Sequence, residues 1–80
     1  MNDESALAAI NRLATEEHAL RAREADGSAS DADRARIGEL EVELDQCWDL
    51  LRQRRARRSA GLDPDDAHVR DAQTVERYQQ

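Results

Sequence analysis

One pattern constrains this chain more than any other. Ile37, Leu40, Leu44, Cys47 and Leu51 recur at steps of 3, 4, 3 and 4. That heptad spacing keeps apolar side chains on one stripe of an α-helix, facing a neighbouring helix. The spacing predicts a helix over about residues 31–59. Ser30 with Asp33 resembles a capping box with Asp in place of Glu. Asp31 and Asp33 fall at the positive end of the helix dipole, and Arg55, Arg57 and Arg58 at the negative end.

A second stripe precedes it. Ala6, Ile10, Leu13, Glu17 and Leu20 recur at 4, 3, 4 and 3, predicting a helix over about 4–25. Leu7 and Ala14 widen the stripe. Arg12 with Glu16, and Glu17 with Arg21, are i,i+4 pairs on its flanks. Between the helices "DGSAS" at 26–30 is a turn signal, with Gly27 suited to a helix C-terminus and Ser28 or Ser30 to the next N-cap. So short a turn implies an antiparallel hairpin. Folding there sets Leu20 against Ile37, Leu13 against Leu44, Ile10 against Cys47 and Ala6 against Leu51, so the two stripes meet in register. Glu17 opposite Leu40 is the awkward pair; Arg21 on the flank is its expected partner. A carboxylate turned into the core would instead have a raised pKa. Trp48 and Leu50 flank the seam on its two sides, which suggests burial against more than one neighbour. The expected core and interface residues are Ile10, Leu13, Leu20, Ile37, Leu40, Leu44, Cys47, Trp48 and Leu51.

The two helices differ in length, about 33 Å against about 43 Å, so the second overhangs at its arginine end. "SAGLDPDD" at 59–66 breaks it, and a tail over 60–80 follows, with a short helix expected at about 73–79. Val69, Val75 and Tyr78 are its apolar anchors after Leu62. The tail is expected to fold back along the hairpin or to order in an oligomer. Fourteen of the 80 residues are Ala, and Phe is absent. So thin a core favours self-association, and the expected architecture is all-α: a coiled-coil-like hairpin pairing into a dimeric four-helix arrangement.

Charge and chemistry narrow the function. The net charge of -6 does not suit a chain that coats phosphate backbones as a whole. All 12 basic residues are Arg, so no Lys serves as a Schiff-base amine. One Cys rules out an internal disulfide and a multi-thiolate zinc site. No apolar run is long enough to span a bilayer. The acidic start "MNDESALAAI" lacks the basic region of a signal peptide, so a cytoplasmic location is expected. His18 and His68 lack the Glu-x-x-His spacing of dinuclear bundles, and no Gly-rich phosphate loop or nucleophile elbow is present. No catalytic residue, metal or cofactor is therefore expected. Trp48 and Cys47 read as packing residues rather than as a site.

The remaining candidate is the arginine run 52–58. Arg54, Arg55, Arg57 and Arg58 could contact nucleic acid, another anion or an acidic partner. Against this, the hairpin register brings Asp3 and Glu4 near Arg54, Asp63, Asp65 and Asp66 follow in sequence, and no aromatic interleaves. A small enzyme resembling the all-helical chorismate mutases is a third reading. The missing Lys and the absence of a second long downstream helix weigh against it.

The run "LEVELDQCWDLLRQRRARR" (40–58) resembles the signature of a family of short actinobacterial proteins classed only as a domain of unknown function. "EEHALR" (16–21), "DPDDAHVR" (63–70) and "VERY" (75–78) resemble its other motifs. "DAQ" at 71–73 stands where many members are expected to carry Pro. The resemblance implies a helical architecture and an actinobacterial, cytoplasmic source, and carries no catalytic residues. The expected function is non-enzymatic: a small interaction or assembly protein, homodimeric, with an unidentified protein partner and no membrane.

Overall fold

A computed structural model describes residues 1–79, with side chains through Arg77. The expected anchor Tyr78 lies outside the described side chains. Helix α1 spans Asp3–Asp26, α2 spans Asp31–Ser59, a 3-10 turn covers Pro64–Asp66, and α3 spans Ala72–Gln79. The two long helices pack against each other as a hairpin.

The punctuation follows local chemistry. Asn2 caps α1 through Oδ1, accepting from the Ser5 amide at 2.7 Å. Gly27 ends it in the left-handed region at φ 82°, which costs a glycine no steric penalty. Ser30 and Asp33 form the reciprocal capping box, with both bonds at 3.1 Å. Gly61, at φ 74°, turns the chain out of α2 while the Leu62 amide donates back to the Arg57 carbonyl at 2.8 Å. Asp63 then caps the 3-10 turn, with Pro64 at its first position. Helix α3 begins after Asp71, whose side chain accepts from the Thr74 amide at 2.8 Å.

Leu13, Leu20, Ile37 and Leu40 form the main core cluster, with half-buried Leu44 and Cys47 packed against it. Ile10 is buried on the same stripe. Ala6, Leu50 and Ala67 form a second cluster, joined by half-buried Leu51. The hairpin flanks carry matched ion pairs. Arg21 binds Glu41 on one side. On the other, Arg36 grips Glu16 with two bonds, at 2.7 and 3.1 Å. Glu17 is half-buried and lies 3.8 Å from Arg21.

The tail folds back along α2, on the side opposite α1. Among the helical elements, α1, the 3-10 turn and α3 each pack on α2 and not on one another. Val75 is the apolar anchor of α3, at 1% exposure, whereas Leu62 and Val69 stay exposed. The molecule measures 49 × 25 × 15 Å. Its thickness is little more than one helix diameter of about 10–12 Å, so the helices form essentially a single layer with α2 in the middle.

Leu40 has no exposed surface at the centre of this layer. Leu40→Ala should cost about 2–5 kcal/mol, measured by urea denaturation followed by circular dichroism. Leu62→Ala, at an exposed site, should shift the midpoint little.

Candidate interaction surface

Helix periodicity divides the arginine run. Arg54 continues the seam and is buried, so it leaves the set of possible anion contacts. It donates through Nε to Asp3, and through Nη1 to the Pro64 carbonyl at 3.1 Å, Asp65 Oδ1 at 3.0 Å and the Met1 carbonyl at 3.3 Å. One guanidinium thus joins the start of α1, the end of α2 and the tail. Arg58 reaches the other oxygen of Asp3 at 2.9 Å. The two guanidinium groups hold the Asp3 carboxyl below the usual carboxylate range. The acidic cover expected of this region is therefore Asp3 and Asp65, while Glu4 stays exposed. Arg52 and Arg55 are exposed and Arg57 is half-buried, and none has an ion pair among the described residues.

The back of α2 carries polar groups that sequence reasoning passed over. Asp49 is 2% exposed. Its two oxygens accept from Arg70, one through Nε at 2.9 Å, and Gln53 donates to the same carboxylate at 3.0 Å. Gln53 also donates to the His68 carbonyl at 2.8 Å, and Gln46 to that of Arg70 at 3.2 Å. Gln46, Asp49 and Gln53 thus lie on one stripe, three and four residues apart. A stripe so polar on the face opposite a seam is the sequence signal that a second segment is held there by hydrogen bonds. Arg70 holds the Asp49 carboxyl below its ordinary pKa. One turn along, Glu76 of α3 abuts Asp45, with Glu41 beyond, and its buried Oε1 accepts no hydrogen bond among the described residues. The Asp45 carboxylate and burial push the Glu76 pKa up.

The remaining flank is open. Trp48, expected in the core or an interface, lies 44% exposed, and Leu7 is 46% exposed. Trp48 stays out because the tail covers the Leu50 flank of α2 and, among the described residues, its reach toward the other flank stops at Glu76 against Asp45. Cys47, its neighbour in sequence, is half-buried against the main core, and burial raises its thiol pKa. His18 and His68 are exposed. Among the described residues, no group of three or more His, Cys, Asp or Glu side chains is placed to hold a metal ion, and no helix is long and apolar enough to cross a membrane.

The model of the family described as "Protein of unknown function (DUF2630)" matches residues 2–80, and the chain belongs to that family. It is 51% identical over 77 residues to the uncharacterised proteins Rv0898c of Mycobacterium tuberculosis H37Rv and Mb0922c of Mycobacterium bovis. That stretch is 95% of this chain and 88% of each relative. No solved structure matches it.

Two opposed titrations govern the tail. Asp49 has a lowered folded-state pKa, so its contribution is present above the unfolded carboxylate pKa and lost as pH falls through the folded value. Glu76 has a raised one, so its contribution is present below the unfolded pKa and lost as pH rises through the folded value. Protection of the α3 amides against hydrogen exchange, relative to the unstructured chain at the same pH, should therefore be greatest at mildly acidic pH and fall on either side. Glu76→Gln should abolish the loosening toward neutral pH and leave the loosening in strong acid. Asp49→Ala should cost about 2–3 kcal/mol in urea denaturation, below the 3–5 of a fully buried pair because Arg70 is 37% exposed.

Proposed function

We propose that this chain is a small non-enzymatic helical interaction and assembly protein that works as a homodimer. The observation that carries the reading is the open flank of the hairpin. The tail spends its few apolar anchors on the other side of α2, and a large aromatic and a leucine are left facing solvent. Trp is enriched at the energetic centres of interfaces, where its area contributes most when desolvated. A single-layer chain has no second layer of its own to supply that cover, and a second hairpin would make the four-helix arrangement whose packing the heptad spacing favours. Sedimentation equilibrium of the wild-type chain at micromolar concentration should give twice the chain mass. A stable monomer would remove the dimer from this reading.

A second reading rests on a different observation. Arg52, Arg55 and Arg57 carry no ion pair among the described residues, so a narrowed set could contact nucleic acid or an acidic partner. Arg54 and Arg58, engaged with Asp3, leave that set. With three such cations in an acidic chain, any nucleic-acid binding should be weak and its log affinity should fall with log salt at a slope of about -3 at most. A gel shift at low salt that disappears in Arg52→Ala/Arg55→Ala/Arg57→Ala would support it, and no shift by the wild type would exclude it.

A further inference from the structure

The open flank has a charge order that specifies its occupant. Seven residues make two helical turns less about 20°, so Glu41, Trp48 and Arg55 fall on one line along α2. Asp45 and Arg52 lie beside that line. Trp48 is at the centre, with Glu41 about 10.5 Å to one side and Arg55 about 10.5 Å to the other. Asp45 stands about 4.5 Å from it on the acidic side, and Arg52 about 6 Å on the basic side. The α1 residues on this flank follow from its register with α2. The offset that joins Arg21 to Glu41, stepped seven residues along each helix, brings Ala14 beside Trp48, and stepped again, Leu7 beside Arg55. Along α2 the flank is thus acidic toward the hairpin turn, where Arg21 of α1 answers Glu41, aromatic in the middle and basic toward the open end, and α1 adds the apolar Ala14 and Leu7 beside it.

We infer that the partner on this face is a second copy of the chain, laid antiparallel across a two-fold axis at Trp48. Glu41 and Asp45 of each copy then meet Arg55 and Arg52 of the other. The inference rests on the homodimer reading and specifies its surface. A two-fold interface is isologous, so every contact is made twice. Turning the stripe end for end about Trp48 exchanges its acidic and basic ends and leaves the aromatic facing itself. A parallel arrangement would put Glu41 on Glu41 and Arg55 on Arg55, which like-charge repulsion disfavours. The charges are available for the exchange. Arg52 and Arg55 are exposed, with no ion pair among the described residues. Asp45 faces the carboxylates of Glu76 and Glu41 within its own chain, and so lies in a field that favours an incoming cation. Glu41 holds Arg21 through Oε1 and remains half-exposed at 51%. Ala14, the smallest residue on the α1 side, leaves room for the two indoles.

The test is a charge-swap pair on the full chain, followed by sedimentation equilibrium, with circular dichroism to confirm helicity. Arg52→Glu/Arg55→Glu and Glu41→Arg/Asp45→Arg should each weaken dimerisation at least about tenfold, as should Trp48→Ala. Mixing the two swapped variants should restore a dimer containing one of each. That rescue distinguishes a lost interface from a lost fold. A wild-type dimer whose affinity neither swap changes, or swapped variants that fail to pair when mixed, would overturn the antiparallel Trp48 face while leaving the homodimer reading in place. A wild-type monomer would overturn both.

Discussion

Every helical element of this protein depends on α2 for its packing. Helix α1 lies along one side of it, and the 3-10 turn and α3 lie along the other. The reason is material. A chain with many alanines and no Phe can fill one seam well, and the Leu13, Leu20, Ile37 and Leu40 cluster is that seam. Beyond it, the apolar anchors are sparse: Leu50 with Ala67, and Val75. Apolar burial stabilises in proportion to area and carries little directional information. The small apolar anchors among the described residues therefore neither hold a tail of some twenty residues strongly nor fix its direction.

Charged and amide groups supply what those anchors lack. From the end of α2 backward, Arg54 holds Pro64 and Asp65, Gln53 holds the carbonyl of His68, Asp49 holds Arg70, and Gln46 holds the carbonyl of Arg70. These bonds set the tail antiparallel to α2 in a single register. A buried ion pair adds little net stability compared with an apolar pair of the same size, but breaking one is costly because a charge is left without its partner. Asp49 thus penalises any alternative tail position that removes Arg70. The Asp3, Arg54 and Arg58 cluster does the same for the start of α1, tying the two ends of the hairpin's open side together. Among the described residues, Glu76 against Asp45 runs the other way. It sets a like-charge contact against the bonds that hold α3.

The hairpin was legible because its information is periodic and local. Stripe spacing and a turn signal set the register, and that register brought Asp3 to Arg54 before any coordinate did. The same register weighed against an anion contact at Arg54, and the residue lies buried on the seam beside Asp3. The tail's attachment was not legible in this way. Asp49 makes sense only with Arg70, 21 residues away, and no local rule joins them. The stripe of Gln46, Asp49 and Gln53 was a clue to a hydrogen-bonded neighbour. It did not say which segment the neighbour was. Trp48 followed from the same gap. Pattern showed that both flanks of the seam carried apolar side chains, but which flank the tail would cover depended on bonds that pattern does not encode.

Five arginines in seven residues look like one feature, yet a helix turns about 100° at each residue and distributes them around its axis. Arg54 and Arg58, four apart, face α1 and meet Asp3. Arg52 and Arg55, three apart, face the open flank beyond Trp48. The acidic residues toward the turn divide by the same geometry: Glu43 turns to Arg36, while Glu41 and Asp45 share the Trp48 side. The split is therefore a consequence of period. It lets one short segment close the hairpin with its inward charges and present an ordered outward set, without either set neutralising the other.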